Sequence, residues 1–172
     1  MTHRHHTRIL SIAGLLAVLL ALPLVISPAA HAAELVATDP AGDTDRAGLD
    51  VVGVTVDNAD YSLTVDVSYS RNRSGNTIVG LEAAGQGLLR LVNSHRADGN
   101  DRTRLYDNDG RLPCKGLTGT WRSHVGQLRL QIPSTCLWHG NYGSLRTWVL
   151  TEPLHSGEDV DLLAERARVA RG

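Results

Sequence analysis

Residues 114–136 read CKGLTGTWRSHVGQLRLQIPSTC and contain both cysteines of the 172-residue chain. Two runs with strand character lie between the cysteines, 117–125 and 127–133, joined at Val125-Gly126-Gln127. In the second run Leu128, Leu130 and Ile132 alternate with Gln127, Arg129 and Gln131. A period of two puts one set on a buried face and the other in water, the mark of a half-buried strand. Two such strands joined by a turn form an antiparallel hairpin, whose open ends would bring Cys114 and Cys136 together. A disulfide there would remove chain entropy equivalent to about 3 kcal/mol from the unfolded state. The competing arrangement for the same cysteines is a covalent dimer.

Whether the thiols oxidise depends on compartment, and the N-terminus bears on that. Residues 1–8 (MTHRHHTR) are basic, residues 9–26 are almost wholly apolar, and residues 27–33 (SPAAHAA) are small. This three-part layout predicts a secretory signal peptide over residues 1–32, cleaved after Ala32, and a single domain over 33–172. The length of the apolar run leaves an uncleaved membrane anchor as the alternative, although Pro23 interrupts it. No later segment is apolar enough for a second span. A secreted, extracellular location favours a disulfide over a zinc site, because no second Cys or His pair has zinc spacing.

The chain carries 17 basic and 18 acidic residues, a formal net charge of −1. Loss of Arg4 and Arg8 with the leader makes the remainder more acidic, and His3, His5, His6 and His31 leave with it. A mildly acidic chain without a basic stripe has no electrostatic basis for binding nucleic acid. With no Phe present, Trp121, Trp138, Trp148 and the four tyrosines supply all the aromatic bulk.

Strand signals recur along the rest of the chain. Residues 34–38 form a short candidate strand, followed by the loop Asp39-Pro40-Ala41-Gly42-Asp43-Thr44-Asp45. The spacing predicts strands over 49–57, with Val52, Val54 and Val56 on one face, and over 61–70, with Leu63, Val65, Val67 and Tyr69 opposed to Ser62, Thr64, Asp66 and Ser68. The short turn between them makes the pair antiparallel. Further strands are predicted over 77–81, 88–94 and 145–151. At the C-terminus Ser156 and Asp159 fit a capping box, with Val160, Leu163, Ala164 and Ala167 at helical spacing; a short helix and a strand-like tail are both open there. About eight short strands at roughly 8–12-residue spacing predict an all-β, antiparallel β-sandwich, of jelly-roll or immunoglobulin-like topology.

The stretches Asp39–Asp43 (D-P-x-G-D), Asp50–Asn58 (D-V-x-x-V-x-V-D-N) and Ile132–Leu137 (I-P-x-x-C-L), with Cys114 upstream, resemble small secreted β-sandwich proteins of high-GC Gram-positive bacteria. The resemblance implies a sandwich fold and export. It lends no catalytic residue.

Three constellations carry candidate chemistry. Asp39, Asp43, Asp45 and Asp50 crowd one loop, and hard oxygen ligands at short spacing are what Ca²⁺ requires. The alternative is a solvated turn whose Asp side chains accept from nearby backbone N–H groups. Asp107-Asn108-Asp109-Gly110 fails as a calcium loop: in the EF-hand register Leu105 and Gly116 fall where the first and last ligands belong, so a hairpin turn is expected. Trp138, His139 and Tyr142, near His124 and Ser144, form a candidate ligand-binding group for sugar stacking or hydrolysis. Ser144 has no nucleophile context, however, and no Asp partner is nominated. His95 and His155 read as surface residues, and the tryptophans read first as core filling.

The resulting expectation is a monomeric, exported, non-catalytic β-sandwich acting through surface loops on an extracellular protein or a cell-wall glycan. No cofactor is required, with Ca²⁺ the one candidate. A carbohydrate-binding module using Trp138 and Tyr142, and a secreted hydrolase, are the alternatives.

Overall fold

Leu63, Val65 and Val67 of one strand face Ile132, Leu130 and Leu128 of another, residue opposite residue, and all six side chains are wholly buried. The structure, a computed structural model, describes residues 34–44, 48–71, 73–154, 161–163 and 168–172. The leader and its cleavage site lie outside the described residues, as do Asp45 and His155.

The strands in order are β1 (Glu34–Thr38), β2 (Asp50–Asn58), β3 (Ser62–Arg71), β4 (Gly75–Ala83), β5 (Leu89–His95) and β6 (Arg102–Tyr106). They continue with β7 (Arg111–Leu112), β8 (Thr118–Arg122), β9 (Gln127–Pro133), β10 (Leu145–Glu152), β11 (Asp161–Leu163) and β12 (Arg168–Val169). Two antiparallel sheets result: β1-β2-β3-β9-β8, and β11-β10-β4-β5-β6-β7 with β12 also paired to β10. The protein is thus the all-β sandwich that the alternation predicts. Three successive strands meander in the first sheet, four follow in the second, β8 and β9 return to the first, and the chain ends in the second.

The hairpin of residues 114–136 forms as expected, with Thr118 opposite Gln131 and Trp121 opposite Leu128. A short 3₁₀ turn over Ser123–Val125 ends at Gly126, whose φ of 60° suits the turn. Beyond the strand ends Cys114 and Cys136 are bonded as a disulfide, with their Cα atoms 5.5 Å apart.

Three details differ from the sequence reading, and a fourth, left open there, is decided. In β2 the register shifts at Val51 and again before Gly53, so Val51, Val54 and Val56 are buried while Val52 is half-buried. A β-bulge adds a residue to one strand and inverts its side-chain phase, which simple alternation cannot register. The described parts of the tail, β11 and β12, are strands held on β10; Leu163 is therefore in a strand and not on a helix, while 156–160 and 164–167 lie outside the described residues. Trp148 is not core filling. It stands opposite Gly80 between the buried Thr147 and Val149, which places it on the outer face of the second sheet. A Cβ on Gly80 would lie 1.9 Å from Trp148 Cε2, so the indole rests where Gly80 lacks a side chain.

His95 likewise is no simple surface residue. Its ring stacks on Trp121 at a centroid distance of 4.1 Å, and its Nδ1 lies 2.9 Å from Asp101 Oδ1. Trp121 also stacks on Tyr69 and donates to Asn93 Oδ1 at 2.7 Å, so both its polar and apolar parts are satisfied.

Candidate functional site

The loops at one end of the sandwich frame a cleft of about 610 Å³ beside the disulfide. The β4–β5 loop contributes Gln86 and Gly87, the β6–β7 turn contributes Asp107, Asn108 and Asp109, and the segment after β9 contributes Cys136, Trp138, His139 and Asn141. The disulfide fixes the last segment to the start of the β8 hairpin.

Each wall has a local cause. The β6–β7 turn is the expected hairpin turn: Asp107 N–H donates to the Gly110 carbonyl, and Asp107 Oδ1 accepts from the N–H groups of Asp109 and Gly110, both at 2.9 Å. This Asx arrangement engages one carboxylate oxygen of Asp107 in closing the hairpin turn. Across the cleft Trp138 donates its indole N–H to the Gly87 carbonyl at 2.9 Å, and Gln86 Nε2 donates to the Asn141 carbonyl. The two loops are therefore tied together, and Trp138 is clamped in place.

Trp138 and His139 have φ values of 49° and 58° and are the non-glycine residues at positive φ among the described residues. A non-glycine residue in this region costs on the order of 1–3 kcal/mol. Two in succession need strong local support, and the indole bond to Gly87 is part of it.

The predicted trio is brought together in part. Trp138 and His139 line the cleft. Tyr142 contacts Trp138 at 5.6 Å between ring centroids, but the rings are tilted by 57° and Tyr142 is 8% exposed. The pair is therefore not the flat, exposed, coplanar platform on which a sugar ring would lie. Tyr142 belongs instead to a buried clasp. Its hydroxyl donates to Asn58 Oδ1, and Arg171 lies over its ring at 4.7 Å. Burial raises the Tyr142 pKa, and the Arg171 charge opposes that rise. His124 falls in the β8–β9 turn and Ser144 precedes β10, and neither lines the cleft. His139 shares the cleft with Asp107 and Asp109, yet among the described residues no hydrogen bond joins His139 to a carboxylate.

A second polar centre lies where the first loop meets the closing strand. Asp39, Asp43 and Asp161 each place a carboxylate oxygen within 4.8 Å of the other two. The backbone sets this geometry. Asp39 N–H donates to the Val52 carbonyl, Gly42 turns the loop at a φ of 84°, and Asp161 Oδ2 accepts from Val51 N–H at 2.6 Å. Asp50 is wholly buried next to the same loop, with Oδ2 accepting from Gly42 N–H at 2.9 Å and from the Ser70 hydroxyl. Its Oδ1 is buried with no hydrogen-bond partner. Burial pushes the Asp161 carboxyl up to about 6, and the charges of Asp39, Asp43 and Asp50 add to the rise. Asp39 is raised as well, first by burial and then by the Asp43 charge, with a hydrogen bond to Asp161 opposing the rise.

Of the loop acids predicted from sequence, Asp39 and Asp43 come together, while Asp50 is buried beside them and is not one of the three mutually close carboxylates. Asp45 lies outside the described residues. Asp161 joins from far along the chain, and no local spacing signals it. A further hollow of about 460 Å³ on the outer face of the first sheet surrounds Asp66 and Arg129. Their bidentate bonds of 2.8 and 2.7 Å satisfy each other's charge.

Among the described residues no helix is long and apolar enough to cross a membrane. Compared with known proteins, the chain matches no family model, and no curated protein is significantly similar to it.

Proposed function

We propose that the protein is an exported, non-catalytic binding domain that holds a saccharide chain of the cell envelope or its surroundings in the cleft beside the disulfide. The observation that carries this reading is the clamped, positive-φ pair Trp138-His139 on the cleft wall. Backbone strain of this kind concentrates where a side chain must be presented to a ligand. The rest of the lining suits the same class of ligand. Asn108, Asp109, His139 and Asn141 are planar polar groups that can donate to or accept from ring hydroxyls, and Trp138 supplies an apolar edge. Export is supported by the predicted leader and by the disulfide, which persists in oxidising compartments.

The test is binding of the purified domain to cell-wall polysaccharide and to a panel of immobilised glycans. His139→Ala and Asn108→Ala, both at exposed loop positions, should reduce retention at least about tenfold, the effect of losing a hot-spot contact, without lowering the melting temperature. Retention by no glycan, or equal retention of both variants, would sink the saccharide reading. Release of new reducing ends during incubation would move His139 and Asp109 into a hydrolase instead.

A further inference from the structure

We infer that Asp39, Asp43 and Asp161, backed by Asp50, form a Ca²⁺ site that fastens the closing strand β11 to the loop after β1. The inference is independent of the cleft and of any saccharide.

The first support is convergence. Three carboxylates from two distant parts of the chain bring oxygens within 4.8 Å of one another, a spacing at which like charges repel unless a cation, or a proton such as that of the Asp39–Asp161 hydrogen bond, lies between them. The second support is Asp50. It is wholly buried, with one oxygen on the backbone of the very loop that carries Asp39 and Asp43. Its other oxygen has no hydrogen-bond partner. A buried carboxylate oxygen without a donor costs free energy, and native proteins retain such an atom where an ion or water completes it.

The donor chemistry selects the ion. Every side-chain ligand in the cluster is a carboxylate oxygen, with neither imidazole nor thiolate, which excludes the preferences of zinc and copper. Ca²⁺ accepts six to eight oxygens in irregular geometry, whereas Mg²⁺ demands near-ideal octahedral ligands and sheds water reluctantly. Asp43 is exposed and Asp39 half-buried, so backbone oxygens and water can complete the shell from the open side. Extracellular modules bind Ca²⁺ at roughly 10⁻⁴–10⁻³ M, which suits a site with this few fixed ligands.

The consequence is mechanical. Asp161 already anchors β11 to β2 through Val51 N–H. An ion shared with Asp39 and Asp43 would add the first loop to that joint and hold the tail on the sandwich.

The test uses chelator-treated protein, Ca²⁺ or Mg²⁺ alone, and both calorimetry and thermal melting. Because an ion bound only by the folded form must raise its stability, the melting temperature should climb with Ca²⁺ up to about 5 mM and much less with Mg²⁺. Asp43→Asn is the main variant, since its exposed side chain leaves the core untouched. It should melt no lower than the parent without Ca²⁺, through relieved repulsion, and should bind Ca²⁺ at least about tenfold more weakly. Asp161→Asn should lose the response too, and limited proteolysis should then cut the tail equally with and without Ca²⁺. No heat and no melting shift at about 5 mM Ca²⁺, an equal response to Mg²⁺, or an undiminished response in Asp43→Asn would each overturn the site.

Discussion

Burial beside three other carboxylates lifts the Asp161 carboxyl from 3.8 to about 6 on folding. Between these values the folded protein holds more protons than the unfolded chain, so stability falls as pH rises. The contribution is fully present below about pH 4 and is lost once pH passes about 6; Asp39, raised in the same direction, reinforces it. In chelator, then, the melting temperature should decline from about pH 4 to about pH 6.5 on account of these groups, and Asp161→Asn should flatten that slope. Melting curves across this range check it, and a parallel profile in the variant would show that Asp161 does not titrate as argued. Asp39, Asp43 and Asp50 were legible as a cluster because they are near neighbours in sequence. Asp161 was not, because only the pairing of β10 with β11 brings it there. His95 was misread for the same reason: its neighbours in sequence are polar, but Trp121, on another sheet, covers its ring.

At the scale of the element, β3 gives the sharpest test of register. Val65 is wholly buried opposite Leu130, and Thr64 is half-buried on the outer face opposite Gln131. Val65→Asp places an unpaired charge in the core and should cost more than about 4 kcal/mol, enough to abolish the cooperative transition in a domain of ordinary stability. Thr64→Asp, which stands opposite Asp57 on β2, should cost no more than about 1 kcal/mol. Denaturant titration of the two variants checks this, and equal midpoints would show the register to be wrong. Strands such as β3 and β9 were readable because alternation is a local signal that one buried face makes unambiguous. The signal failed at β2, where the bulge reverses the phase at Val52; at the tail, where helix and strand were both open, Asp161–Leu163 pairs as a strand with β10. A short segment takes the structure its neighbours offer, whatever its own periodicity suggests.

For the whole molecule, two sheets and one disulfide followed from the sequence, but their order did not, since strand order depends on contacts between segments far apart. The disulfide is where the long-range fold and the cleft meet. Cys114 and Cys136 close the β8–β9 hairpin, and Cys136 lies on the same cleft wall as Trp138. Replacing both cysteines by serine should destabilise the domain by about 2–4 kcal/mol, through the larger freedom of the unfolded chain. The sandwich should survive, because Leu128, Leu130 and Ile132 remain packed opposite β3 and none of them depends on sulfur. The cleft should suffer more than the core. Without the bond, the segment carrying Trp138 and His139 keeps the indole bond to Gly87, the Arg171 bond to the Gly140 carbonyl and the buried Leu137, but the positive-φ pair loses one of its restraints. Denaturant unfolding measures the first effect, and glycan retention the second. The parent should run at its monomer mass on non-reducing electrophoresis, since the bond is within the chain. A band at twice that mass that collapses with reductant, or a double variant as stable as the parent, would refute the intramolecular staple.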